Sequence, residues 1–335
     1  MPLVREERSI SAAKLLPENE ELVERGWASL PTSYRPPKTT PTLDQARAYC
    51  RQLAESHYEN FHVASWFLPK RLRPHMHAIY AYCRISDDLG DEVNDTAQAL
   101  ALLNYWGGEL DACYEGRVRH PVFVALRETI LALNIPKEPF ADLLVAFCQD
   151  QTVKRFETMD DVLAYCRYSA NPVGRLVLHT FGEAKAENFS LSDATCTALQ
   201  LANFWQDVKR DFAIGRVYLP QADMRRFGVS DETIARGAPT PEFRALLRHE
   251  VDFTRGLFER GLPLIDRVQS ELALDLDLFS RGGMEILCAI EKQDYDVLSR
   301  RPSISKNVKI KLLLGALVGK FIPRARRNRS QEKAI

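Results

Sequence analysis

Apolar side chains recur three and four positions apart over residues 43–57, 74–93, 97–114, 122–133, 137–156, 159–181, 191–212, 241–269, 272–297 and 308–318. That period is the signature of helices with one buried face. Gly, Pro or Asn breaks such as Asn134-Ile135-Pro136 and Gly182 separate the segments, and no alternating run with a hairpin turn interrupts them. The pattern predicts an all-α protein. No self-similarity at roughly 20 to 50 residues marks a solenoid, and the breaks are too short for domain linkers. The simplest architecture is therefore one helical bundle around a central cavity. Residues 1–42 are polar and then Pro-rich (Pro31, Pro36, Pro37, Pro41) and are expected to form a loosely packed leader. The bundle is expected over 43–322 and a basic tail over 323–335.

Two of the predicted helices carry rows of acidic side chains. In AIYAYCRISDDLGDE, Asp87 and Asp91 share one face, and Asp88 and Glu92 share the neighbouring stripe. Like charges at this spacing repel. Arg84, one turn before Asp88, compensates only part of the repulsion, and a divalent cation would reverse it. In ALQLANFWQDVKRDFAIGRVYLP, Gln200, Asn203, Asp207 and Asp211 follow at spacings of three, four and four, which lines up oxygen-bearing side chains along about three turns. Hard oxygen donors suit Mg2+, which takes one or two carboxylates and prefers phosphate oxygens for the rest. For either row alone a solvated charged face is the competing explanation. The apolar surroundings (Ile79-Tyr80-Ala81-Tyr82 before one row, residues 199–205 within the other) argue instead for burial, where carboxylates without partners are costly. The two rows are expected to face each other across the apolar cavity.

Charge and cysteine content narrow the partners. Lys and Arg total 45 against 45 Asp and Glu, so no global basic field attracts nucleic acid, and none is expected as a partner. A hydrophobic fraction of 45% with 27% charged residues is that of a chain able to build a core. Seven scattered cysteines, several beside apolar residues, are expected to be reduced core residues. The charged N-terminus lacks the apolar stretch of a signal peptide, so a cytoplasmic location is expected. Residues 312–318 are too few to span a bilayer. The basic residues that follow, Lys320, Arg324, Arg326, Arg327 and Arg329, suit peripheral contact with the inner face of the cell membrane. A last core helix followed by a solvated basic tail is the preferred explanation of the same residues.

The two acidic segments, DDLGDE after YAYCR and NFWQDVKRDFAIGRVYLP, resemble the paired aspartate-rich motifs of the squalene and phytoene synthase family. NFHVASWFLPKRLRPHMHAIYAYCR is similar to the family's opening helices, YCRYSANPVGRLVLHTFG to its middle motif, and MEILCAIEKQDYDVLSRRPSISKNVKIKLL to its C-terminal helices, so the resemblance covers roughly residues 45–320. It implies an all-helical isoprenoid-synthase fold, with Mg2+ joining a prenyl diphosphate to Asp87, Asp91, Asn203, Asp207 and Asp211. It further implies that Asp88 belongs with the catalytic carboxylates and that Asn60, Tyr80, Arg84 and Gln200 contact the substrate. Tyr165 would sit beside the reacting carbons, and Arg216 and Tyr218 would close the second motif. Where most members carry Val-Ala-Gly, this chain has Ser169-Ala170-Asn171-Pro172. With NFHVAS, this string resembles the bacterial hydroxysqualene synthase branch. That resemblance implies presqualene diphosphate as substrate, made by a sister synthase, and hydroxysqualene as product, passed towards hopanoid precursors by a reductase.

Chemistry supplies the remaining expectations. A departing diphosphate needs its developing charge stabilised by metal and fixed arginines. The carbocation left behind needs an apolar enclosure with aromatic faces. Phe61, Trp66, Tyr80, Phe147, Phe204 and Trp205 are candidates for that wall, with plain core packing as the alternative for each. Tyr168, Ser169 or Asn171 would hold the capturing water, unless Asn171 merely caps a helix break at Pro172. Two other outcomes stay open. One is head-to-head condensation of two farnesyl or geranylgeranyl diphosphates to squalene or phytoene. The other is a non-catalytic prenyl-lipid-binding or scaffold protein.

Overall fold

Among the described residues, the segments with a helical hydrophobic period form helices. A computed structural model describes residues 17–56 and 68–304; Asn60, Phe61, Trp66, residues 308–318 and the basic tail lie outside the described residues. Among the described residues there are no strands, only an isolated bridge of Arg155 to Val217. No described helix is long and apolar enough to cross a membrane. The chain divides into two compact units, Met1–Val153 and Lys154–Ile335.

The first unit holds helices α1 (Pro17–Ala28), α2 (Leu43–Ser56), α3 (Arg73–Asp91), α4 (Thr96–Tyr114), α5 (Pro121–Leu133) and α6 (Glu138–Thr152). Helix α3 is central and packs against α2, α4, α5 and α6. Its wholly buried Tyr82 meets Phe140, Phe123 and Trp106, and the Tyr82 hydroxyl donates to the Phe140 carbonyl at 2.9 Å. The ends of these helices follow local chemistry. Asp95 caps α4 by accepting from the Gln98 amide, and α5 opens on Pro121 and stops at Asn134 in the left-handed region (φ 50°).

One expectation fails here. The leader is not loosely packed over its described part, because α1 lies against α4 and buries Val23 and Trp27, with Trp27 edge-on to Tyr105 at 6.0 Å. Leu30 and Tyr34 are buried beyond it. A few large apolar residues anchor a segment whose average composition is polar.

The second unit holds α7 (Met159–Ser169), α8 (Asn171–Thr180), α9 (Ala186–Ala213), α10 (Gln221–Phe227), α11 (Asp231–Ala235), α12 (Pro241–Gly261), α13 (Leu264–Arg267) and α14 (Ser270–Lys292). The long α9 is its axis, packed by α12, α8 and α14. Trp205 is fully buried on α9 and donates from Nε1 to Thr254 Oγ1 of α12 at 2.7 Å. The expected continuous segment 159–181 is two helices. Proline at 172 has no N–H for the Tyr168 carbonyl, and its ring would clash there, so the chain breaks at Ala170. The segment 241–269 breaks likewise before Pro263.

Candidate active site

In the first unit the acidic row occupies the last turns of α3, and its members differ in environment. Asp88 is buried, and both of its oxygens are taken. Arg84 donates from Nε to Oδ2 at 3.0 Å and from Nη2 to Oδ1, while the Tyr34 hydroxyl donates to Oδ2 at 2.6 Å. Burial and the Asp88 charge raise the Tyr34 hydroxyl well above its usual range, so it remains a donor. The Tyr34 carbonyl faces His120 Nε2 at 3.1 Å, and His120 Nδ1 accepts from the Val122 amide at 3.2 Å. This histidine is pushed down to about 4 by burial and is therefore neutral, with Nε2 carrying the proton. The turn at Tyr34 thus braces Asp88, and Asp88 fixes the Arg84 guanidinium.

Asp87 and Asp91 are the more accessible aspartates of this row. Asp91 is exposed, and Asp87 keeps 44% of its side-chain surface accessible, with Arg84 Nη1 at 3.7 Å. Burial of part of the carboxyl, and then Asp91 one turn on, push Asp87 up to about 6, and Arg84 opposes this. The solvent still reaching Asp87 screens the repulsion. Tyr80, one turn before Arg84, is half-buried and its hydroxyl is raised by that burial.

In the second unit the row runs along α9. Gln200 is half-buried and Asn203 is exposed. Arg301 grips Asp207 through Nε to Oδ1 at 2.5 Å and Nη2 to Oδ2 at 2.8 Å, with Arg210 at 3.6 Å. Asp211, one turn further, is pushed up to about 7 by burial and by Asp207, against the pull of Arg216, Arg210 and Arg301. Helix α9 then ends, and a turn through Gly215 (φ 79°) returns the chain so that the Arg216 amide donates to the Asp211 carbonyl at 2.8 Å.

The residues after that turn complete an aromatic cluster. Val217 donates to the Lys154 carbonyl at 2.9 Å and Gln221 to that of Phe156 at 3.0 Å, which draws GRVYLP alongside residues 154–157. Tyr218 stacks on Phe204 with centroids 3.6 Å apart and on Phe156 at 5.8 Å. Tyr165 lies 6.0 Å from Tyr218, 6.2 Å from Phe204 and 5.3 Å from Phe156. Phe204, Val208, Asp211, Arg216, Tyr218 and Leu219 line one cleft, so charged groups meet an aromatic wall within this unit alone.

The profile of the squalene/phytoene synthase family matches residues 54–308. This chain belongs to the squalene/phytoene synthase family. It is 29% identical over 281 residues to the chloroplastic phytoene synthase of an Oncidium hybrid cultivar, covering 81% of this chain and 68% of that one. It is 27% identical over 279 residues to the 15-cis-phytoene synthase of Synechococcus elongatus, covering 80% and 91%. The crystal structure of squalene synthase HpnC from Alicyclobacillus acidocaldarius superposes with a TM-score of 0.73 at 43% identity, over 81% of this chain and 99% of that one. A dehydrosqualene synthase in complex with ligand gives 0.74 at 28% identity, over 82% and 96%. The fold is therefore the all-α isoprenoid-synthase fold.

For this family member the donor set suits a hard divalent cation. Each row presents carboxylates one turn apart, and in each row one of them has its pKa raised by burial and by its neighbour, a repulsion that a cation relieves. Among the described residues no three Asp, Glu, His or Cys side chains gather into a complete protein cage. Magnesium seldom requires one when phosphate oxygens share its coordination.

Some residues stand apart from the expectations. Trp205 belongs to the α9–α12 core, bonded to Thr254 rather than lining the cleft. Asn171 does not cap α8: Ala170 is the N-cap, without a side-chain bond, and Asn171 Oδ1 accepts from Thr197 Oγ1 at 2.9 Å. Phe156 and Arg301 were missed. Phe156 reaches the cluster through its pairing with residue 221, and nothing in its local sequence announces this. Arg301 follows a second arginine in DYDVLSRRP, and that basic pair was the available signal.

Proposed function

We propose that this protein ionises presqualene diphosphate, rearranges the resulting cyclopropylcarbinyl cation and captures it with one water, giving hydroxysqualene and free diphosphate. The observation that carries the reading is the 43% identity to squalene synthase HpnC over almost all of that chain. Ser169-Ala170-Asn171-Pro172 in the middle motif supports it. Asp87 and Asp91 of α3 and Asn203, Asp207 and Asp211 of α9 would hold magnesium, which when bound supplies Lewis-acid neutralisation of the leaving group. Arg84, whose Nε and Nη2 are held by Asp88, turns Nη1 and the second hydrogen of Nη2 to the diphosphate oxygens. The π faces of Tyr165, Phe204 and Tyr218 stabilise positive charge and exclude stray water. No protein nucleophile takes part.

A second reading has its own support. The phytoene synthase relatives, at 27% and 29% identity, match more than three quarters of the chain, which favours condensation of two farnesyl or geranylgeranyl diphosphates. The test is incubation of the purified protein and Mg2+ with farnesyl diphosphate and, separately, presqualene diphosphate, each with and without NADPH. We expect an alcohol from presqualene diphosphate alone and no need for NADPH. Squalene or phytoene from two prenyl diphosphates would replace this reading with the second. On the first reading the protein works between a presqualene-diphosphate-forming synthase and a reductase that consumes the alcohol, with peripheral membrane contact to exchange such apolar molecules.

A further inference from the structure

We infer that Thr197 is the positioning residue for the capturing water, acting with Ser169; the inference rests on the hydroxysqualene reading above. Thr197 lies on α9, is buried, and its hydroxyl donates to Asn171 Oδ1 at 2.9 Å. A hydroxyl has one proton and two acceptor lone pairs. With its proton committed to Asn171, Thr197 Oγ1 can only accept from any further partner. Two residues before Asn171, the Ser169 Oγ is shielded from solvent and has no hydrogen-bond partner among the described residues. A buried hydroxyl ordinarily finds a partner. Ser169 closes α7 and Asn171 opens α8, so the break forced by Pro172 sets both polar groups within two residues of each other at the junction where Asn171 meets α9.

The location suits the chemistry. Thr197 precedes Phe204 by seven residues, which on a helix is about two turns and ~10 Å along nearly the same stripe. Phe204 is the residue on which Tyr218 stacks and beside which Tyr165 lies. Between these aromatic faces and Thr197 the stripe of α9 carries buried Leu201 and Ala198, with the half-buried Gln200 amide beside them. A water giving one O–H to Thr197 Oγ1 and the other to Ser169 Oγ keeps a lone pair free. That lone pair forms the new C–O bond to the carbocation. The oxonium then sheds one proton to the diphosphate released on ionisation, because neither hydroxyl nor the Asn171 amide is basic enough to keep it. Charge and atoms balance without oxidant or reductant. Asn171 acts through Thr197, orienting its hydroxyl proton away from the water.

The experiment is product partition with presqualene diphosphate and Mg2+ in 18O-enriched water, comparing wild type with T197V, T197S and S169A. Valine keeps the shape of threonine but cannot accept a hydrogen bond. In T197V the ratio of 18O-labelled alcohol to elimination hydrocarbons should fall about tenfold, the size expected from one lost hydrogen bond at a branching step. T197S should restore it and S169A should lower it. A wild type that forms no alcohol overturns the hydroxysqualene reading and this inference with it. A wild type that forms labelled alcohol while T197V and S169A form it in unchanged proportion overturns the inference alone. If T197V does not fold, S169A decides in the same way.

Discussion

Arg301 holds both carboxylate oxygens of Asp207, and the same Nη2 reaches Gln206 Oε1 at 2.9 Å. Gln206 in turn donates to the Pro302 carbonyl at 2.7 Å, so the segment after α14 is fastened to α9 at two points. Only 12% of the Asp207 side chain is accessible. A bidentate pair in partial burial is stronger than a surface ion pair, and a cation seeking Asp207 must compete with it. The prediction is that R301A binds Mn2+ about five- to tenfold more tightly than wild type without diphosphate, as about 1 kcal/mol of competition requires. Free Mn2+ measured by electron paramagnetic resonance checks this. Equal affinity would mean that guanidinium and cation share Asp207 without competing.

Asp88 and Asp87 are neighbours with opposite tasks, and mutation should separate them. D88A removes the partner of both Arg84 and Tyr34 in a buried place, and a loss of about 2–4 kcal/mol in unfolding free energy is expected from urea titration. Y34F should cost about 1.5–3 kcal/mol, because it deletes a hydrogen bond to a charged acceptor. D87N, at a half-exposed site whose carboxyl is pushed up to about 6, should leave stability at neutral pH unchanged or modestly raised, since it removes a screened repulsion. It should lower diphosphate release from a prenyl diphosphate by at least about a hundredfold, as loss of an electrostatic group at a leaving group does. A destabilised D87N with normal turnover would reverse these assignments.

The contrast shows what could be read from residues alone. Helical period located α2 to α6 to within a few positions, because burial of one face repeats locally. It located both acidic rows for the same reason. It could not rank Asp87, Asp88 and Asp91, since which carboxylate is buried depends on Tyr34, 54 residues earlier in the chain. Nor could it pair Arg301 with Asp207 across 94 residues. The break at Ala170 was half legible: Pro172 announced it, but the use of Asn171 depends on Thr197, 26 residues on, not on the local backbone.

Glycines on the faces against α9 make a packing test. A Cβ on Gly261 would meet the Leu191 carbonyl oxygen and the Thr195 amide nitrogen, each 3.1 Å away, as well as the Thr195 hydroxyl. Backbone cannot step aside. On Gly174 it would meet only the side-chain tips of Ser192 and Cys196. G261A should therefore cost about 2–3 kcal/mol and G174A about 1 kcal/mol, with the second relieved by S192A and C196A together. Thermal unfolding of the variants measures both, and equal losses would show that α8 and α12 yield alike.

Glu250 gives the pH prediction. It is fully buried on α12, both carboxyl oxygens lack a hydrogen-bond partner among the described residues, and burial, then Asp223, push it up to about 8 from 4.5. The folded state therefore keeps the proton over a range in which the unfolded chain has lost it. The neutral form's contribution to stability is complete below about pH 4.5 and declines as pH rises through about 8. Glutamine has nearly the same shape and cannot ionise. E250Q should remove this decline, so that the urea midpoint of wild type falls relative to E250Q between pH 5 and pH 8.5, by on the order of a few kcal/mol in free energy. Asp275, pushed up to about 7 by burial and then Glu271, adds a parallel loss in both proteins and cancels in the difference. Identical pH profiles for the two proteins would mean that Glu250 is already ionised in the fold, with its charge met by a group outside the described residues.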